Sequence, residues 1–179
     1  MAEILTQFDV PYSFFSMVLN LQPGRHRYTY ELMAAAFRMS TIVVMQYKHF
    51  HGIRRPADRS ALVQPLLLTP GHGSYPAGHS TQTYFIAHIL KEIINTQNSP
   101  AIKQKSEILI ELYRLAWRIG ENRIVAGLHF EDDIKAGQLL GQRLAKHLIY
   151  KTTAKDGNGK LLYPALAWLW GKATTEQWT

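Results

Sequence analysis

Three groups of polar residues in this chain fall where helices are expected to begin or end, not along their outer faces. The first is Lys48 with Arg55-Pro56, spaced K-x6-R-P. Lys48 sits near the C-terminal end of a helical pattern and Arg55 just beyond it, so both can reach one pocket, although alone the pair also describes a solvated basic helix end. The second is the stretch TPGHGSYPAGHST, Thr69 to Thr81. Its Pro and Gly residues break any helix before Gly78, and residues 77–80 then read as a helix N-terminus, with Ser80 as its cap. Unpaired backbone N–H groups and the positive end of the helix dipole gather there and favour an oxyanion. His79 falls where a phosphate-like group would rest, and His72 lies across the turn. The third is Arg123, His129 and Asp133, spaced R-x5-H-x3-D. On a helix His129 and Asp133 share a face, so the carboxylate takes the Nδ1 proton and leaves Nε2 as a lone pair, ready to act as a nucleophile or to bind a metal. Bringing Arg123 to the same place needs a bend, which Gly127 would allow.

The elements that position these residues are all helical in pattern. Pro11–Leu21 reads as a short apolar helix stopped by Pro23-Gly24. Apolar residues at Leu32, Met33, Ala36, Met39, Val43 and Tyr47 give the 3.6 period of a long amphipathic helix over about Thr29–Phe50. Gly52 ends it, and Pro56 biases Arg55 away from helical angles. Ala57–Leu68 reads as a connection. After Gly78 the pairs Phe85/Ile86, Ile89/Leu90 and Ile93/Ile94 mark a second long helix. A third runs from about Ala101 to Gly120, with Ile108, Leu112, Leu115 and Ile119 inward and Glu107, Glu111, Arg114 and Arg118 outward. A fourth covers about Glu131–Tyr150, with Gly137 and Gly141 on its apolar stripe to allow close helix approach. Ala154–Lys160 is a turn, and Leu161–Trp170 an apolar segment that closes the core. No alternating strand pattern appears, so the fold expected is all-α.

Composition narrows the partners. The chain has 179 residues, 46% of them hydrophobic, which suits one domain with its own core. It has no cysteine, which excludes disulfides, thiolate metal sites and cysteine nucleophiles. The formal net charge is +7, but no run of Lys/Arg and no basic-aromatic ladder points to nucleic acid. That charge suits a small anion or an acidic membrane surface as well, and alone it does not choose among them. Met1–Val10 does not read as a signal peptide, and Met39–Met45 and Leu161–Trp170 are too short to span a membrane, so the expectation is a soluble protein of unassigned compartment. Homodimerisation would follow if the first and last segments expose apolar surface.

All three spacings in one chain of this length would arise by chance on the order of one time in 10⁵. The combination resembles the signature of the type 2 phosphatidic acid phosphatase and vanadium-dependent haloperoxidase superfamily: K-x6-R-P, then P-S-G-H, then S-R-x5-H-x3-D. The resemblance covers Lys48–Asp133, about half the chain, and extends loosely to Leu21-Gln22-Pro23-Gly24-Arg25-His26, as in bacterial haloperoxidase-like proteins. It implies a helical bundle of the acid phosphatase/haloperoxidase type. It further implies that Lys48, Arg55 and Arg123 hold phosphate or vanadate oxygens with the Gly78 N–H, that His79 is the acid/base, and that His129, oriented by Asp133, bonds phosphorus or vanadium. This sequence departs from the pattern twice, with Ala77 and Asn122 where the family has serines. One lost hydroxyl contact to an anion costs about 1.5–3 kcal/mol. The family's haloperoxidases are much longer, so residues 1–179 read as a single catalytic domain that is either the core of a longer ancestral chain or one that works with a partner subunit.

GHGSYPAGHSTQ is similar to the GHPSYPSGHATQ segment of algal bromoperoxidases, with His72 at a histidine that would relay protons or site the halide. The resemblance therefore favours a haloperoxidase that carries vanadate at His129 and uses hydrogen peroxide and halide. The alternative is a soluble acid phosphatase that hydrolyses phosphate monoesters through a phosphohistidine at His129 and needs no cofactor. Two readings from other classes remain. A metal site of His49, His51, His129 and Asp133 is disfavoured because Lys48, Arg55 and Arg123 would repel a divalent cation. An anion sensor would bind phosphate or vanadate without turnover.

Overall fold

A computed structural model describes residues 2–7, 11–97 and 105–176. Among the described residues the chain is all-α, as the pattern predicts, with eight helices: α1 (Ala2–Thr6), α2 (Tyr12–Leu19), α3 (Arg27–His51), α4 (Pro56–Arg59), α5 (Gly78–Thr96), α6 (Lys105–Val125), α7 (Glu131–Thr153) and α8 (Pro164–Thr175). One isolated bridge, Lys155 to Leu161, closes the expected turn.

The apolar doublets of α5 cover more of its circumference than one stripe, and a helix apolar on most sides must be surrounded. Phe85, Ile86, Ile89, Leu90, Ile93 and Ile94 are all fully buried. Helices α3, α6 and α7 pack around it. The closest approach is to α7, where Gly137 and Gly141 bring the two backbones together: a Cβ on Gly137 would lie 2.6 Å from the Ala77 carbonyl oxygen, and one on Gly141 would meet the Thr81 carbonyl and the Phe85 nitrogen. Helix α3 ends at Gly52 in the left-handed conformation (φ 57°), and Arg55 beyond it is extended (ψ 164°), as expected before proline.

Several boundaries differ from the sequence reading. Helix α6 does not stop at Gly120; that glycine faces α7, where an added Cβ would lie 3.0 Å from Ile134, and the helix continues to Val125. Residues 101–104, expected at its start, lie outside the described residues. The connection 57–68 begins with α4, whose Asp58 carboxylate accepts the Arg55 N–H at 3.0 Å. Helix α8 lies against α3 and α7 but only partly buries itself: Ala173 is buried, while Trp168 is 55% exposed. In the first segment Met17 is also exposed. Just beyond α8, Glu176 accepts the backbone N–H groups of Tyr28 (2.7 Å) and Thr29 (3.0 Å) and the Thr29 hydroxyl (2.6 Å), so the far end of the described chain caps α3. No helix among the described residues is long and apolar enough to cross a membrane.

Candidate active site

Two helix N-termini meet beside the C-terminal end of α3. The α5 terminus is tied to that of α7 by the Ala77 N–H, which donates to the Asp133 carbonyl at 2.9 Å. The sequence reading makes Ser80 the α5 cap; instead Ser80 lies in the first turn and its Oγ donates to the Ile134 carbonyl at 2.9 Å, while Ala77 occupies the cap position without a side-chain bond. The missing Cβ of Gly137 lets α7 come near enough for that bond. Both termini direct the positive ends of their dipoles toward one region.

Around that region lies a cavity of about 210 Å³ lined by Lys48, Arg55, His72, Gly78, His79, Arg123 and His129, with Thr41, Met45 and Gln82 among the other wall residues. The three sequence motifs therefore converge. Ala77 is fully buried and does not line the cavity. A wider groove of about 760 Å³ on α6, bordered by Ile110, Tyr113 and Trp117, holds none of these residues.

The three cations are deeply buried: Lys48 is 3% exposed, Arg55 2% and Arg123 1%. Their bonding differs. Lys48 Nζ donates to the carbonyls of Gly73 (2.9 Å) and Ser74 (2.8 Å), so two of its three N–H groups hold the loop and one remains. Arg55 donates from Nε to His72 O (3.1 Å) and from Nη1 to Leu128 O (2.8 Å); its Nη2 lies 3.3 Å from His72 Nδ1. Arg123 donates from Nη2 to Ile4 O at 3.0 Å, but its buried Nε and Nη1 have no partner among the described residues. A buried charged donor without a partner is costly, and an oxyanion in the cavity would supply the missing acceptor.

His129 and Asp133 meet as expected but not for the expected reason. His129 precedes α7, and Asp133 is in its first turn, so they are not on one helical face. Asp133 Oδ2 turns back over the terminus, accepting the Phe130 N–H at 2.9 Å and facing His129 Nδ1 at 3.1 Å. One carboxylate thus caps α7 and orients the imidazole. With Nδ1 donating, Nε2 keeps its lone pair, 3.5 Å from Arg55 Nη1. Gly127, at φ 72°, turns the chain between Arg123 and His129 as the spacing requires.

Burial pushes the His129 imidazole down to about 4 against the opposing hydrogen bond to Asp133, and the charges of Lys48 and Arg55 add to the fall. Burial, then the Arg55 charge, brings Lys48 down to about 7, with Asp133 opposing. Burial also lowers His72, a shift reinforced by Lys48 and Arg55 and opposed by the Gly73 carbonyl. For Asp133 burial works upward, but the bonds from His129 and the Phe130 N–H outweigh it and hold the carboxyl below its ordinary value. Among the described residues, three buried cations thus face one buried carboxylate, an excess that selects an anion.

The sequence reading missed Ser74, fully buried, whose Oγ makes a longer contact of 3.5 Å to Asp133 Oδ1. It also missed Ile4 on α1 and Gln7 just beyond it, which reach Arg123; nothing in their local pattern signals a contact more than a hundred residues away. Among the described residues no group of three or more His, Asp or Glu side chains is gathered for a metal ion, and His49 and His51 are exposed.

No family model matches the chain. Over 91 residues it is 30% identical to the non-specific acid phosphatase of Salmonella typhimurium (strain LT2) and 29% identical to that of Salmonella typhi, covering 51% of this chain and 29% of each relative. The match thus spans less than a third of the length of those relatives. Among solved structures, a transmembrane PAP2 type phosphatidylglycerolphosphate phosphatase from Bacillus subtilis shares the fold, with a TM-score of 0.56 at 20% identity over 82% of this chain and 65% of that one. The helical bundle has the fold of that structure.

Proposed function

We propose that this chain is a PAP2-type phosphatase that hydrolyses phosphate monoesters through a phosphohistidine at His129. The observation that carries the reading is Arg123: a guanidinium 1% exposed, on the wall of a cation-rich cavity, with two nitrogens lacking a partner among the described residues. The phosphate oxygens would accept from Arg123, the remaining Lys48 N–H and the Gly78 N–H, while Arg55 adds charge beside the reacting histidine. His129 Nε2 attacks phosphorus as the bond to the ester oxygen breaks, and His79 gives that oxygen a proton. His79 then takes a proton from water, whose oxygen attacks phosphorus; the N–P bond breaks and its electron pair returns to Nε2. Asp133 keeps the ring oriented and stabilises the positive charge it acquires while phosphorylated.

The haloperoxidase alternative uses the same pocket, with vanadate held at His129 and hydrogen peroxide and halide as reactants. His72, beside Arg55, is its one distinctive residue. The proteins to which this chain is similar are phosphatases, and that weighs for hydrolysis. Vanadate would then act as a phosphate mimic, held by the same cations.

The test is hydrolysis of p-nitrophenyl phosphate at pH 5, with vanadate as inhibitor. Turnover that vanadate suppresses is expected. Bromide oxidation with vanadate and peroxide, in a protein that does not hydrolyse the ester, would transfer the chain to the haloperoxidase reading. Tight phosphate binding with neither activity would make it an anion sensor.

A further inference from the structure

Arg123 does not reach the cavity by helix geometry alone. Its Nη2 is held from outside α6 by the Ile4 carbonyl (3.0 Å) and by Gln7 Oε1 (3.4 Å). Gln7, 1% exposed, also accepts from Asn122 Nδ2 at 2.8 Å and donates to Glu3 Oε1 at 3.1 Å. Glu3 in turn accepts Arg118 through Nε (2.5 Å) and Nη2 (2.6 Å) and Asn122 through Nδ2 (3.1 Å). Ile4 is buried against Ala126 and Leu128, and the Leu128 carbonyl receives Arg55. The segment from Glu3 to Gln7 is thus attached both to the arginine with unpartnered donors and to the loop that leads into His129.

We propose that Gln7, seated by Glu3 and Asn122, is a positioning residue for Arg123: it fixes the Nη2 end of the guanidinium so that Nε and Nη1 are presented to the oxyanion. This rests on the reading of Arg123 as an oxyanion donor. A guanidinium has five N–H groups, and a buried one turns toward whatever acceptors exist. Acceptors on the far side of Nη2 keep the other donors unspent, which is preorganisation for an anion that arrives later. The same network accounts for Asn122 where the resemblance expects serine. Its amide nitrogen reaches both Glu3 and Gln7, a pair of bonds that the single hydroxyl proton of serine could not make together.

The experiment compares phosphate binding by calorimetry and the side-chain Nε–H NMR signal of Arg123 in wild type, Gln7→Ala, Asn122→Ser and a remote core variant, Leu148→Ala. Loss of the aligned charged donors should weaken phosphate roughly tenfold in Gln7→Ala and severalfold in Asn122→Ser. KM for the ester should rise by a similar factor while kcat stays within about threefold, since the transferred group still meets the same histidine. In both variants the Arg123 Nε–H signal should shift and exchange faster with water. Leu148→Ala should lower stability without changing affinity or signal, which separates positioning from general loosening. Wild-type phosphate affinity and an unmoved Arg123 signal in folded Gln7→Ala would overturn the proposal. If wild type fails to bind phosphate, the functional reading falls instead, and the Arg123 signal still decides whether Gln7 holds the guanidinium.

Discussion

Lys48 carries charge where charge is expensive, and that sets the pH range of the site. Its value near 7 means that the free protein holds the full cation below that pH and loses it above. His129, lowered to about 4, is neutral everywhere above that value and so fit for the nucleophile role proposed for it. Phosphate affinity should therefore fall as pH rises through about 7, and turnover should fall as pH drops through about 4. The predicted kcat/KM profile is a bell between these limits, measured with a chromogenic ester in buffers of constant ionic strength. An optimum above pH 8 would contradict the assignment of Lys48. His129→Ala should remove turnover by several orders of magnitude, because the proposed phosphoenzyme forms on that imidazole, yet leave the helices formed, since Asp133 retains its bond from the Phe130 N–H. Circular dichroism and turnover on the same sample test both halves.

At the scale of elements, the crossing of α5 and α7 positions the chemistry, and the glycines that permit it can be tested directly. A methyl group at Gly141 would meet the Thr81 carbonyl and Phe85 nitrogen, backbone atoms that cannot rotate away. Alanine's better helix propensity offsets about 1 kcal/mol, but the overpacking should exceed that, for a net loss of about 1–3 kcal/mol by urea denaturation. Gly137→Ala presses on the Ala77 carbonyl and Ser80, at the joint between the two N-termini, so it should weaken phosphate binding more than Gly141→Ala at equal stability loss. Both glycines were legible in the sequence because they fall on the apolar stripe of α7. So were the C-terminus of α3 and the bend at Gly127, since glycine and proline act locally. The cap role given to Ser80 and the shared helical face given to His129 and Asp133 were misread because these residues bond across or around a helix end, where 3.6-residue spacing no longer describes what faces what. Glu176 on α3 and Gln7 on Arg123 were invisible for a stronger reason: their partners are 147 and 116 residues distant, and no local pattern encodes such a pairing.

For the whole molecule, the site works against folding until an anion arrives. Lys48 and His129 both have folded values below their ordinary ones, so the unfolded chain binds protons that the folded chain excludes. Stability should therefore decline as pH falls from the ordinary lysine range through about 7, and again from the ordinary histidine value through about 4. A bound oxyanion stabilises only the folded state. At a concentration about 100 times Kd it contributes about 2.7 kcal/mol, which for a chain of this size is roughly 5–10 °C in Tm. We expect phosphate to raise Tm by that amount at pH 5 and by much less at pH 8, where Lys48 has lost its proton. The net charge of +7 could attract any anion weakly, so chloride at matched ionic strength is the comparison. Arg123→Ala should abolish the phosphate-specific increment, whereas His129→Ala should keep most of it, because in the proposed mechanism the cations bind and the histidine reacts. Differential scanning calorimetry of the three proteins separates those roles. Equal increments in wild type and Arg123→Ala would mean that phosphate binds elsewhere on the basic surface and that the cavity is not its site.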